Sequence, residues 1–118
     1  MIFVIDDDKI TGEAIIRAIK RNGHEAKLFA DAYAAIDAIE GGALEMVFLD
    51  VFLTGPDGFT FLNELASYED TMNVPAVLTS ERDFSKYDLS EYNVVGCLNK
   101  STMKPSDVKY YLDKCLGE

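Results

Sequence analysis

The sequence has few of the residues that build nitrogen or sulfur metal sites and covalent cross-links. Among its 118 residues are two cysteines, one histidine and no tryptophan. Cys97 and Cys115 lack the paired spacing of a zinc site and are too few for a disulfide framework. We therefore expect both thiols to be reduced and structural, which is typical of proteins in a reducing compartment.

The sequence is also poor in basic residues and in long apolar runs. It has 11 lysines and arginines against 21 aspartates and glutamates, which gives a net charge of −10. This charge argues against binding nucleic acid through its phosphates and against binding an anionic membrane surface. The apolar runs are far shorter than a membrane span, and residues 1–5 lead directly into three aspartates, unlike a signal peptide. We expect a cytoplasmic protein that contacts neither nucleic acid nor membrane.

Short apolar runs alternate with stretches of helical periodicity along the chain. The runs predict strands at 2–5, 24–30, 46–49, 75–78 and 94–98, and the periodic stretches predict helices at 8–21, 31–40, 59–66 and 105–116. The charged and weakly periodic segment 81–93 predicts one more helix, the fourth in chain order, that is short or irregular. Because no linker interrupts the chain, we expect one domain over residues 1–118.

Strict alternation of strands and helices predicts an α/β fold with a doubly wound, five-stranded parallel sheet. The first, third and fourth apolar runs are the most apolar, so they belong in the centre of the sheet. The flavodoxin-like strand order 2-1-3-4-5 satisfies this condition with right-handed crossovers. Ligands of such sheets bind at the carboxyl ends of the strands.

Polar side chains follow the predicted strands at those ends: Asp6-Asp7-Asp8, Asp50, Thr79-Ser80 and Lys100. Two carboxylates about 4 Å apart repel by about 4 kcal/mol at an effective dielectric of about 20, so a cluster of them requires a cation. Mg²⁺ prefers a small set of oxygen ligands, and a lysine adds a compact positive charge. A carboxylate nucleophile, a metal, a lysine and a hydroxyl together indicate aspartyl-phosphate chemistry.

The same residues carry a resemblance to a known family. The matching residues, in chain order at the strand ends and the following turn, are Asp6-Asp7, Asp50, Asp57-Gly58, Thr79 and Lys100. With them the sequence resembles the receiver domains of two-component response regulators over essentially its whole length. The resemblance implies the CheY-like (β/α)5 form of the fold and a signalling switch that catalyses only its own phosphorylation and dephosphorylation.

The resemblance also implies a role for each matching residue. Asp50 would accept a phosphoryl group from a sensor histidine kinase or a phosphotransfer protein, and Lys100 would contact the acceptor or the phosphoryl group. Asp7, Asp50 and the backbone carbonyl of Phe52 would bind Mg²⁺ or Mn²⁺ directly, and Asp6 would help through a water molecule. Thr79 would be the hydroxyl that moves on phosphorylation. The signal would pass to a downstream protein target or to an output domain.

One of these assignments has a close alternative, because Ser80 lies 30 residues after Asp50, a common interval in the family. We prefer Thr79, since Leu78 before it and the small Ser80 after it fit the family's local pattern.

Two positions depart from the family pattern. Thr54 stands where the family usually has proline, and Cys97 stands where it usually has tyrosine or phenylalanine. An aromatic switch at position 97 is therefore unavailable, and we hypothesise a modified readout surface that includes the segment 81–93.

Two other functions compete with the phosphoacceptor hypothesis. A pseudo-receiver would keep the fold as an interaction module without being phosphorylated. A phosphatase of the haloacid-dehalogenase type would use Asp6 as nucleophile and Asp8 as acid and base. Asp8 also suits the N-cap of the first helix, which is the role we expect for it.

Overall fold

Nine elements form the part of the chain that the computed structural model describes, residues 1–39, 43–50, 58–81 and 89–117. They are β1 (Ile2–Ile5), α1 (Lys9–Arg21), β2 (Ala26–Phe29), α2 (Ala32–Asp37), β3 (Met46–Asp50), α3 (Gly58–Ala66), β4 (Ala76–Ser80), β5 (Val94–Asn99) and α4 (Pro105–Leu116). The five strands form one parallel sheet in the order β2-β1-β3-β4-β5. The predicted fold class and strand order are confirmed.

The three central strands are the most deeply buried, as their apolar sequences predict. Every residue of β1, β3 and β4 is buried, whereas the edge strands β2 and β5 are mixed. A strand with a helical layer over each face leaves no side chain in water, which explains the continuous apolar runs.

Helices cover both faces of this sheet, and alternate residues of each strand face opposite layers. One layer joins the strands to α2 and α3 through Ala32, Ala35, Phe61, Leu62 and Leu65. The other joins them to α1 and α4 through Ile15, Ala18, Ile19, Val108 and Leu112. This is the doubly wound arrangement that the alternation of elements predicted.

Side-chain caps begin two of the helices where the sequence suggested. The carboxylate of Asp8 accepts hydrogen bonds from the amides of Ile10 and Thr11 at the start of α1, and Asp31 accepts one from Ala34 at the start of α2. The prediction of a helix over 31–40 was too long. In the structure α2 ends at Asp37, where the Ala38 amide donates to Ala35 in a tightened last turn.

Some sequence predictions fall outside the described residues. The helix expected within 81–93 falls largely on residues 82–88, and the turn that contains Thr54 lies within residues 51–57. Across the described ranges, no helix has the length and apolarity that a membrane crossing requires.

The two cysteines differ in their surroundings, and the structural role expected for Cys97 stays a prediction. Cys115 packs against the apolar layer between the sheet and α1 and α4. Cys97 lies on the edge strand β5 and is exposed. Both thiols are free.

Gly96 on β5 makes room for a tyrosine of the last helix. A Cβ atom at this position would overlap the hydroxyl oxygen and two ring carbons of Tyr111. The ring of Tyr111 therefore lies directly over the strand backbone, and α4 approaches the edge strand closely because position 96 has no side chain.

We predict that Gly96→Ala lowers the free energy of unfolding by about 1–3 kcal/mol, because the added methyl group overpacks the contact with Tyr111. In a Tyr111→Leu background the same change should have almost no effect. Urea denaturation of the four proteins of this double-mutant cycle measures the difference. An equal loss in both backgrounds would place the cause in the strand backbone and contradict the contact.

Candidate phosphoacceptor site

Residues from four loops and strand ends meet at the carboxyl edge of the sheet. The strand register sets Ile5 opposite Leu49 and Asp50 opposite Thr79. Asp6 directly follows β1 and Lys100 directly follows β5, so both emerge at the same edge. The structure thus brings together the residues that the sequence placed at strand ends.

Lys100 connects two of the carboxylates. Its Nζ atom lies 2.9 Å from Asp6 Oδ1 and 2.9 Å from Asp50 Oδ2, and its side chain is 9% exposed. The Lys100 amide donates to the Ser80 carbonyl at 2.9 Å, which fixes the start of the loop. Burial alone would lower the pKa of the ammonium, but the hydrogen bonds to Asp50 and Asp6 and their negative charges outweigh it. The pKa of Lys100 is therefore raised.

Asp6 is the most buried carboxylate of the site, with 1% of its surface exposed. Its Oδ1 atom accepts from both Lys100 Nζ and the amide of Asp8, the latter at 2.8 Å. Among buried side-chain nitrogen and oxygen atoms of the described residues, Asp6 Oδ2 alone has no hydrogen-bond partner. Burial raises the pKa of the Asp6 carboxyl, although the hydrogen bonds from Asp8 and Lys100 oppose the shift.

Three carboxylates cluster beside this lysine. One oxygen each of Asp6, Asp7 and Asp50 lies within 4.8 Å of the others; Asp7 is exposed, and the other two are buried. Within the described residues, Lys100 brings one positive charge to Asp6 and Asp50, and a buried carboxylate charge is costly unless it is compensated. Hard oxygen donors, an excess of negative charge and a buried oxygen without a partner fit a divalent cation such as Mg²⁺.

The two candidate switch hydroxyls lie on opposite sides of the sheet. Thr79 is the register partner of Asp50, and it is 1% exposed. Ser80 is the register partner of Asn99 and is 3% exposed. Because neighbouring strand residues point to opposite faces, Thr79 shares the face of Asp50 and Ser80 does not. This geometry favours Thr79 as the hydroxyl near the acceptor.

Two expected contributors fall outside the described residues, and one contact was not foreseen. Phe52 and Asp57 lie within residues 51–57, so the expected carbonyl ligand is not described. The unforeseen contact is the hydrogen bond from the Asp8 amide to Asp6. An aspartate that accepts from the amide two residues later is a common turn, so the spacing of Asp6 and Asp8 was the available signal.

Comparison with known proteins agrees with this geometry. The profile of the response regulator receiver domain family matches residues 2–112. The response regulator MprA of Mycobacterium sp. (strain KMS) is 32% identical over 82 residues, and the alignment covers 70% of this chain and 35% of that protein. The MprA protein of Mycobacterium avium (strain 104) is 30% identical over the same length. The chain thus spans about a third of the length of these curated relatives.

Solved structures share the fold over nearly the whole chain. The receiver domain of NtrX from Brucella abortus superposes with a TM-score of 0.84 at 25% identity, covering 98% of each chain. A sensor protein from Polaromonas sp. JS666 gives a TM-score of 0.88 at 15% identity, covering 98% of this chain and 94% of its own.

A third structure contains a metal. The receiver domain of sensor histidine kinase PA1611 from Pseudomonas aeruginosa PAO1 has a magnesium ion coordinated in its active site cleft. It gives a TM-score of 0.82 at 20% identity, covering 99% of this chain and 97% of its own. With the family profile matching nearly every residue, the chain belongs to the response regulator receiver domain family of two-component signalling.

Proposed function

We propose that residues 1–118 form one receiver domain in which Asp50 accepts a phosphoryl group. Receiver domains interact with histidine kinases or phosphotransfer proteins, and the donor we propose is a phosphohistidine on one of these. The observation that carries the proposal is the contact of Lys100 with both Asp50 and the buried Asp6. It places a positive charge beside a carboxylate that is 5% exposed at the ligand-binding edge of the sheet.

The proposed step is an in-line phosphoryl transfer. A carboxylate oxygen of Asp50 attacks phosphorus as the phosphorus–nitrogen bond of the phosphohistidine breaks, and the electron pair of that bond remains on the imidazole. The product is an acyl phosphate on Asp50. Lys100 shifts from the carboxylate to the new phosphoryl oxygens, since an ammonium is a compact charge on a flexible stem. Catalysis consists mainly of positioning and charge stabilisation.

Asp6, Asp7 and Asp50 are the residues that would hold Mg²⁺ or Mn²⁺, with the Phe52 carbonyl proposed as a further ligand. When bound, the cation would neutralise the charge of the phosphoryl oxygens. The unpartnered Asp6 Oδ2 atom and the clustered carboxylates support this assignment. In this role the site is a self-modifying switch, and we propose no turnover of a separate substrate.

Phosphorylation would replace the single negative charge of the Asp50 carboxylate with an acyl phosphate that carries about −1.5 to −2, and so bias the loops around it. Thr79, with Ser80 as the alternative, is the hydroxyl proposed to follow the phosphoryl group. The signal would then pass to a downstream protein or to an output domain, and the exposed Cys97 gives that route no aromatic side chain on β5. We place the protein in the cytoplasm, where its kinase partners would meet it.

The rival phosphatase mechanism is not favoured. It requires Asp8 to act as acid and base in the site, but the Asp8 carboxylate accepts from Ile10 and Thr11 as the cap of α1. The pseudo-receiver alternative retains the fold but predicts that neither Mg²⁺ nor phosphoryl analogues such as beryllofluoride bind.

Phosphotransfer tests the proposal directly. With a panel of phosphorylated sensor kinases and Mg²⁺, we expect label on the wild-type chain and none on Asp50→Asn, because the amide cannot attack phosphorus. Chelation of Mg²⁺ should reduce labelling of the wild type at least about 100-fold, as expected for the loss of the main charge stabilisation. The measurement is the radiolabel on each protein after a single turnover.

Asp113→Asn is the matched control, since Asp113 is a surface aspartate of α4 paired with Lys109 at 2.7 Å. It should be labelled like the wild type. Absence of label on the wild type with every donor would overturn the proposal, and label on Asp50→Asn would move the acceptor elsewhere.

Removal of the Lys100 charge should destabilise the protein in the absence of a divalent cation. We expect Lys100→Met to lower the free energy of unfolding by about 3 kcal/mol, because it leaves Asp6 and Asp50 buried without their cation. Lys109→Met, which removes an exposed pair, should change it little. Urea denaturation compares the three proteins, and equal effects of the two substitutions would contradict the electrostatic role of Lys100.

Mg²⁺ should stabilise the wild-type chain. At free Mg²⁺ about ten times the dissociation constant, linkage predicts a gain of about 1.4 kcal/mol in unfolding free energy. Thermal unfolding measures it, with NaCl added to the Mg²⁺-free sample at equal ionic strength to balance screening of the net charge. Asp7→Asn should lose most of the gain, and an equal gain in that variant would argue against this ligand set.

A further inference from the structure

A short turn connects the carboxylates of the site to the first helix. The Asp6 amide donates to the Phe29 carbonyl at 2.9 Å, which fixes the end of β1. Two residues later the amide of Asp8 donates back to Asp6 Oδ1 at 2.8 Å. Lys100 donates to the same oxygen. Oδ1 therefore accepts both hydrogen bonds of the carboxylate, and Oδ2 has no partner.

We propose that Asp8 is a positioning residue for the cation site, and that it acts with Thr11 by holding its own amide on Asp6. This inference rests on the proposed function, because it assigns Asp6 and Asp7 to the binding of a divalent cation. In this proposal the carboxylate that caps α1 has a second role, which is to orient a ligand of the cation. The cap determines how Asp6 Oδ2 is presented.

The side chain of Asp8 is held by three donors at the start of the helix. Its Oδ1 atom accepts from the amides of Ile10 at 3.1 Å and Thr11 at 3.5 Å, and its Oδ2 atom accepts from the Thr11 hydroxyl at 2.8 Å. These bonds fix the backbone of Asp8 at φ −89° and ψ 102°, and with it the direction of its amide.

The helix behind this cap is rigidly packed. Ile15 and Ile19 of α1 are at most 1% exposed, and they lie in the apolar layer shared with α4. The turn therefore joins two fixed bodies, the end of β1 and the start of α1. Asp7 is its middle residue, so the same geometry that orients Asp6 also sets where the Asp7 carboxylate lies. Residues that orient metal ligands in this way typically change metal affinity 10–100-fold when they are removed.

A positional effect can be separated from a charge effect with variants of the cap. Asp8→Ala removes the cap and one negative charge, whereas Asp8→Asn removes the same charge but retains an oxygen that accepts from the helix amides. Thr11→Val removes the hydroxyl donor at constant charge and similar volume. Asp31→Ala is the matched control, because it removes the capping carboxylate of α2, whose bond goes to Ala34.

The experiment is an Mg²⁺ titration of the full chain followed by ¹H–¹⁵N NMR, which reports the dissociation constant and the amide signal of Asp8 together. We expect Asp8→Ala to weaken Mg²⁺ binding at least about tenfold and Thr11→Val about threefold. Asp8→Asn should stay within about threefold of the wild type and keep the shift of the residue 8 amide, and Asp31→Ala should bind as the wild type does.

The results of this titration separate the positioning role of Asp8 from the proposed function. If wild type binds Mg²⁺ and the Asp8→Ala and Thr11→Val proteins bind it equally well, the positioning role is wrong while the proposed function stands. If Asp8→Asn is as weak as Asp8→Ala, lost charge explains the effect and the positioning role is again wrong. If the wild type binds no Mg²⁺, both the inference and the metal assignment fail. If Asp8→Ala fails to fold, Thr11→Val still tests the positioning role, since it leaves the capping carboxylate in place.

Discussion

The ammonium of Lys100, held between two buried carboxylates, is the interaction on which the carboxyl edge of the sheet depends. Lys100 follows β5, yet its Nζ atom reaches Asp50 at the end of β3 and Asp6 beyond β1. The side chain therefore passes the end of β4, which lies between β3 and β5, and links the ends of β1, β3 and β5. Without it, like charges would face each other where water is largely excluded, and that arrangement is strongly disfavoured.

This contact requires a defined register in the three central strands. A fixed distance between charges at strand ends requires a fixed register, and the fully buried β1, β3 and β4 provide it because a slip would move every side chain to the wrong layer. The helices support the site by packing against the strands that carry its residues. The strand ends carry the charged groups, while α1 and α4 pack into one layer that holds β1 and β5 in place.

Much of this was predictable from the sequence, and the reasons are physical. Buried parallel strands are continuous apolar runs, so β1, β3 and β4 and the strand order could be predicted, and Asp8 and Asp31 could be recognised as caps. The length of α2 could not, because a last turn tightens through contacts that periodicity does not encode. The shared use of Asp6 Oδ1 by two donors is a three-dimensional fact about a turn and a distant lysine.

The contact between Gly96 and Tyr111 has a consequence for how this sequence can diverge. A side chain at position 96 and an aromatic ring at position 111 compete for the same volume, so the two positions are not free to vary independently. A larger residue on β5 fits best with a smaller one on α4, and an aromatic ring on α4 favours glycine on the strand. Homologues should therefore divide into two groups, distinguished by which of the two elements fills this space.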